Sequence, residues 1–170
     1  MAKIKVKIKE EKPESYTKLS VFDFDRTLFR SPDKPKNYDG SWWLELKSLA
    51  PPNVPEKPGS DFWIESTVQS AKKELSNSKT YTILLTGRID TVYDERVRDL
   101  LSQRGLNFHY IRLNKMGGDT GEFKVSEIKK ILKKFPTVKK IEMWEDEQEK
   151  ADLYTEEFSK KYQFQINMVK

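Results

Sequence analysis

Cysteine is absent from the 170 residues. That excludes disulfides, thiolate metal sites and cysteine nucleophiles. Histidine occurs once, at position 109, in a stretch that reads as a strand and outside every motif described below, so a structural role is expected for it. No apolar stretch approaches the roughly 20 residues of a membrane span. The first nine residues, Met1 to Lys9, lack the apolar core of a secretory signal. There is no Gly-x-x-x-x-Gly-Lys-Ser/Thr loop, which argues against a kinase built on one. Internal repeats and long low-complexity tracts are missing as well. These absences lead to the expectation of a cytoplasmic protein with no membrane partner.

What is present is charge and a moderate apolar content. Lys and Arg number 32 against 27 Asp and Glu, for a net charge of +5 and a pI near 9.2. Apolar residues make up 36% and charged residues 35% of the chain. Length and composition are those of one soluble domain with a real core, residues 1–170, expected to be a monomer. The mild positive charge favours approach of a polyanion and, taken alone, decides nothing.

Chemistry is concentrated at a few strand ends. The apolar run Leu19-Ser20-Val21-Phe22 leads into Asp23-Phe24-Asp25-Arg26-Thr27-Leu28-Phe29. Such a run reads as a buried strand, and a parallel sheet places its ligands at the carboxyl ends of its strands. Like charges this close are costly unless a cation neutralises them, and a divalent metal with oxygen ligands is the natural partner. A second run, Thr80 to Leu85, ends in Thr86-Gly87-Arg88. A third, Lys140 to Trp144, ends in Glu145-Asp146. Between them Lys124 heads an expected helix, Lys124–Phe135, with Val125, Ile128, Ile131 and Leu132 inward and Lys129, Lys130, Lys133 and Lys134 outward.

The remaining chain alternates strand and helix. Ile4, Val6 and Ile8 alternate with lysines, which reads either as a half-buried strand or as a basic arm. A turn follows at 10–14. Residues 30–60 carry Pro32, Pro35, Pro51, Pro52, Pro55 and Pro58 around Trp42-Trp43. So much proline predicts an extended, aromatic-lined insert. Helices are expected over 61–75, 91–104 (closed by Gly105) and 149–161, and strands over 108–113 and 162–169, with a glycine turn at 115–119. The pattern implies an α/β fold, a mainly parallel sheet flanked by helices with right-handed crossovers. Trp63 reads as core. Trp42 and Trp43 read either as core or as surfaces that stack on bases.

Acid pair, Thr-Gly-Arg, lysine, acid pair: this order resembles the four motifs of the haloacid dehalogenase-like (HAD) superfamily of phosphotransferases. The forms at 23–29, 41–43, 84–88, 123–124 and 144–146 resemble more narrowly the "Swiss Army Knife" RNA repair-like HAD group. The resemblance spans roughly residues 18–160. It implies a Rossmann-like HAD core with a short insert after the first motif and no full cap domain. It also implies a phosphomonoester hydrolase that works through an aspartyl-phosphate intermediate. In that reading Asp23 is the nucleophile and Asp25 the acid/base. Thr86, Gly87, Arg88 and Lys124 serve the substrate phosphate, although Arg88 reads equally well as the partner of a structural acid. Asp23, Asp25, Asp146 and Glu145 hold Mg²⁺. The family's name points to phosphorylated RNA or DNA ends as substrate. A small-metabolite or nucleotide phosphatase and a non-catalytic nucleic-acid-binding module are the alternatives. Two positions depart from the family pattern: Arg26, where most HAD phosphatases carry glycine, and Glu145, where many carry aspartate.

Overall fold

The computed structural model describes residues 16–115 and 118–170. The alternating segment at 4–8, the turn at 10–14 and part of the 115–119 turn lie outside the described residues.

Among the described residues five strands form one sheet, β1 (Lys18–Phe22), β2 (Thr80–Ile89), β3 (Tyr110–Asn114), β4 (Lys140–Glu145) and β5 (Gln163–Met168). Their order is β3-β2-β1-β4-β5 and every pairing is parallel. In the central strand, Val21 lies opposite Ile83 on one side and Met143 on the other. β1 is almost continuously apolar because both its faces are covered, as in other parallel sheets. Helices α1 (Glu65–Leu75), α2 (Asp90–Gln103), α3 (Thr120–Lys134) and α4 (Gln148–Phe158) flank the sheet.

Two apolar cores result. On one face Leu19, Val21, Ile83 and Met143 pack with Ile128 and Leu132 of α3 and Phe158 of α4. On the other, Phe22, Leu84 and Trp144 pack with Val68 of α1, Val97 and Leu100 of α2, and Leu49 and Val54 of the insert. The inward residues expected for α3 are therefore the ones that are buried. Helix starts differ from expectation in two places. The first helix begins at Glu65, since Ser60–Phe62 forms a short 3-10 turn and Trp63 bridges Phe29. α3 begins at Thr120, with Asp119 capping the Glu122 amide at 2.9 Å, so Lys124 sits one turn in.

The proline-rich insert contains two further 3-10 turns, Trp42–Leu44 and Leu46–Leu49, and no folded cap. Its tryptophans diverge. Trp42 and Trp63 are each 2% exposed, whereas Trp43 is 41% exposed. The insert is fastened to α2. The Tyr93 hydroxyl donates toward the carbonyls of Glu45 (2.7 Å) and Trp43 (2.9 Å). The Arg96 guanidinium donates to the carbonyls of Leu49, Pro55 and Glu56 at 2.9, 2.8 and 3.1 Å. The single histidine is structural: His109 Nδ1 accepts the Thr82 amide at 2.9 Å, and the ring stacks on Tyr81.

Candidate active site

All five strands run the same way, so their carboxyl ends share one edge, and the acids expected from the sequence meet there. β1 ends at Phe22, and a tight loop follows. The Phe24 carbonyl accepts the amides of Leu28 (3.0 Å) and Phe29 (3.1 Å), and the Arg26 amide donates back to Phe29 O at 2.7 Å. This turn throws Asp23 and Asp25 toward the same opening while Phe24, Leu28 and Phe29 anchor it in the core. The turn forces Arg26 to φ +58°, a left-handed conformation that costs a non-glycine residue on the order of 1–3 kcal/mol.

Asp23 is nearly buried and tightly held. Lys124 Nζ donates to its Oδ1 at 2.9 Å, and Thr27 Oγ1 donates toward its Oδ2 at 3.1 Å. Lys124 is itself buried and lies 3.4 Å from Glu145 Oε1. The other Glu145 oxygen accepts the amides of Asp146 (2.9 Å) and Glu147 (3.3 Å). Burial pushes the Asp23 carboxyl up, and the Lys124 charge with local hydrogen bonds more than reverses this, leaving it below the ordinary range. Burial likewise pulls Lys124 down, and the charges of Asp23 and Glu145 outweigh it and hold it above its usual value. Glu145 is raised, by burial first and by Asp23 second.

Three carboxylates thus share one lysine. Ligand oxygens of Asp23, Glu145 and Asp146 all lie within 4.8 Å of one another. Burial, with Asp23 and Glu145 as close neighbours, pushes Asp146 to about 9. With all three acids ionised, the one lysine leaves two negative charges of the cluster uncompensated. An all-oxygen donor set with that deficit fits a hard divalent cation such as Mg²⁺. The acids differ in what they have left to offer. Both oxygens of Glu145 are engaged inside the protein, whereas Asp23 and Asp146 line the open pocket.

Asp25 points to a different partner. Arg88 Nε lies 2.9 Å from each of its oxygens, and Nη2 lies 2.7 Å from Oδ1. Ser31 Oγ also donates to Oδ1. The remaining Arg88 amine, Nη1, donates to Ser48 Oγ at 3.0 Å, and Ser48 lies 2.9 Å from the Tyr93 hydroxyl. An irregularity in β2 makes this reach possible. Thr86 pairs with Leu113 and Ile89 with Asn114, leaving Gly87 and Arg88 as extra residues between consecutive partners. Such a bulge re-aims side chains. Of the two readings of Arg88 open in the sequence, the geometry displays the pairing with an acid.

The pocket has a volume of ≈ 300 Å³ and is lined by Asp23, Asp25, Asp146, Gly87 and Arg88, with Arg26, Trp43, Leu44, Thr120 and Lys150 at its walls. Thr86 and Lys124 are buried and do not line it. Thr86 Oγ1 accepts the Arg88 amide at 3.2 Å. Gly87 is dictated by a close approach, since a Cβ there would lie 2.5 Å from Thr120 Oγ1. Sequence reasoning missed Ser31, Ser48, Tyr93, Thr120 and Lys150. Only Thr120 carried a signal, as the first residue of the helix that bears Lys124. Asp152 is exposed and accepts from Gln148 at 2.8 Å, outside the acidic cluster.

Comparison with known proteins gives a consistent assignment. Residues 26–169 match the family described as HAD domain family 1 in Swiss Army Knife RNA repair proteins. The uncharacterized protein YMR265C of Saccharomyces cerevisiae is 24% identical over 173 residues, covering 85% of this chain and 38% of that protein. Two solved structures share the fold at 15% identity. The one titled "Structure of the Pnkp1/Rnl/Hen1 RNA repair complex" has a TM-score of 0.63 and is matched over 91% of this chain and 43% of its own. The one titled "Structure of Pnkp1/Rnl/Hen1 complex" has a TM-score of 0.58, over 92% of this chain and 48% of its own. The chain therefore spans less than half the length of each of these relatives.

Proposed function

The chain belongs to the HAD domain family found in Swiss Army Knife RNA repair proteins, and from that membership and the site's geometry we propose that it is a Mg²⁺-dependent phosphomonoester hydrolase acting on nucleic-acid ends. One observation carries the reading. A nearly buried carboxylate, Asp23, is paired with a buried lysine at 2.9 Å and shares a pocket with a second acid, Asp146, that has no ion-pair partner among the described residues. A general binding surface has no use for such an arrangement, whereas an acyl-phosphate-forming nucleophile does.

In the first step an Asp23 oxygen attacks phosphorus, the bond from phosphorus to the leaving oxygen breaks, and Asp25 protonates that oxygen. In the second, Asp25, now a carboxylate, takes a proton from water. The water oxygen attacks phosphorus, the bond to Asp23 breaks, and inorganic phosphate leaves. Lys124 steadies the charge on Asp23 through both steps. Thr86 already accepts through its oxygen and keeps a hydroxyl proton for a phosphoryl oxygen, a contact that requires the phosphate to reach past the pocket lining to this buried side chain. Asp23, Asp146 and the Asp25 main-chain carbonyl are the proposed holders of Mg²⁺, which when bound supplies neutralisation of the carboxylate and phosphoryl charges. Glu145 orients Lys124 and the 146–147 backbone. Arg88, Ser31 and Ser48 position Asp25.

The test is a Mg²⁺-dependent phosphatase screen that sets 3′- and 5′-phosphorylated oligonucleotides beside nucleotides and sugar phosphates. Turnover of small esters alone would move the assignment to a metabolite phosphatase. No turnover of any ester, with oligonucleotide binding intact, would make the chain a binding module.

A further inference from the structure

Arg26 and Trp43 are tied together by position. Arg26 occupies the left-handed φ of +58° that glycine enters freely and other residues enter only at a cost. Its side chain is 48% exposed at the pocket wall, and its guanidinium carbon lies 5.8 Å from the centre of the Trp43 ring. It pairs with Asp33, which is 82% exposed. Such a pair is solvent-screened, and a phosphate can displace it. Arg88, 5.2 Å from the same ring, is committed to Asp25 and has no such freedom. Among the described residues the exposed large apolar side chains are Trp43, Leu44 and Leu46, all on the insert, and the first two line the pocket. The Trp43 main chain is pinned through its carbonyl to Tyr93, so the indole is presented from a fixed backbone.

We infer that Arg26 and Trp43 form a reading platform for the terminal nucleotide of a single-stranded nucleic-acid end: Trp43 stacks on its base, and Arg26 pairs with the adjoining phosphodiester. The inference rests on the phosphatase reading for placing the scissile phosphate at Asp23. The cavity's ≈ 300 Å³ suits one nucleotide and no duplex. Its walls are divided as such a ligand requires. Acids and the buried Arg88 lie on the phosphate side, an indole and a leucine on the base side, and an exposed guanidinium beside the indole. Aromatic stacking is indifferent to which base is presented, so the platform selects an unpaired end and not a sequence.

The experiment uses three phosphomonoesters. One is a single-stranded oligonucleotide phosphorylated at whichever terminus the wild type hydrolyses faster. The second is the same strand with an abasic sugar as the phosphorylated unit. The third is glycerol phosphate. The wild type is expected to favour the base-bearing end over the abasic end by about 10-fold in kcat/KM. Trp43→Ala should bring that ratio to near one, and Trp43→Phe should restore most of it. Arg26→Gly should lower the ratio of oligonucleotide to glycerol phosphate turnover about fivefold and flatten its salt dependence. It should not lower the melting temperature, since glycine accepts the positive φ. A wild type indifferent to the base, or variants that lose all three substrates in equal proportion, would overturn the platform. If the wild type hydrolyses none of the three, the phosphatase reading falls and the platform is judged by anisotropy of a fluorescent oligonucleotide. Weaker binding in Trp43→Ala then supports it. Binding unchanged by that variant, or absent from the wild type, overturns it and leaves the patch to a protein partner.

Discussion

Arg88 grips both oxygens of Asp25, with Nε 2.9 Å from each and Nη2 2.7 Å from Oδ1. A guanidinium spent in this way fixes where the proposed acid/base points, and it is not free to serve as the main phosphate ligand. Arg88→Gln should therefore lower kcat by roughly 10²-fold with little change in KM, the mark of a misplaced catalytic group. Steady-state kinetics on the best substrate decides the matter. A rise in KM with kcat preserved would return Arg88 to the phosphate.

Asp23→Asn should abolish turnover while the melting temperature stays close to that of wild type, because the shape is kept and the proposed nucleophile is lost. Asp25→Asn should still bind phosphate and slow both half-reactions. Acid-quench trapping of phosphorylated protein separates the two: none should form with Asp23→Asn. Full activity in either variant would end the aspartyl-phosphate mechanism for this chain.

Asp146 makes stability depend on pH in a predictable direction. Unfolded, an aspartate titrates near 3.9; folded and metal-free, burial and its acidic neighbours raise this one to about 9. A raised folded value means that stability is complete below the unfolded value and is lost as pH climbs through the window up to about 9. The metal-free protein should melt at a lower temperature at pH 8 than at pH 5. Millimolar Mg²⁺ should recover the difference, and Asp146→Asn should weaken both the pH slope and the metal effect, leaving the smaller slope that the raised Glu145 contributes. Thermal melts at three pH values, with EDTA or Mg²⁺, measure all of this without any substrate.

Gly87 and Thr120 should behave as a coupled pair. A Cβ at 87 would lie 2.5 and 2.6 Å from the Thr120 Oγ1 and Cγ2, and 3.1 Å from its Cβ. Gly87→Ala should destabilise by about 1–3 kcal/mol through overpacking. Adding Thr120→Ala removes the two nearer atoms and should recover most of the loss. A double-mutant cycle from denaturant unfolding gives the coupling energy, and strict additivity would refute the contact.

Much of this site is legible in the sequence because parallel sheets concentrate chemistry at strand ends. A run such as Leu19–Phe22 that is apolar at nearly every position announces burial on both faces, and whatever polar residues follow it must sit at an edge. Asp23, Thr86 and Glu145 each close such a run, which puts each at a strand end, and the resemblance of their order to the family's motifs implies that they share one site. Lys124 is singled out among its neighbouring lysines by the resemblance, as Phe123-Lys124 after a glycine turn, although its helix begins a turn earlier than expected.

What was not legible has its own physical reasons. The reach of Arg88 to Asp25 depends on a bulge, and the trace a bulge leaves in Leu-Leu-Thr-Gly-Arg, a glycine in a strand, does not say where the next side chain is aimed. Ser31, Ser48 and Tyr93 act through long-range contacts that no local pattern records. Trp42 and Trp43 are neighbours of identical chemistry, and only the 3-10 turn that carries them sends one indole inward and the other out.

The fastening of the insert to α2 has a kinetic corollary. Arg96 and Tyr93 together engage five main-chain carbonyls between Trp43 and Glu56, so the segment at the rim cannot swing without giving up most of its polar anchors. Where an enzyme must shut a gate over each substrate, opening and closing often set the pace of the cycle. A riveted rim has no gate to wait for. Its turnover should be insensitive to solvent viscosity apart from diffusion of substrate and phosphate, and a long polymer can thread its end in while the rest of it trails in bulk water.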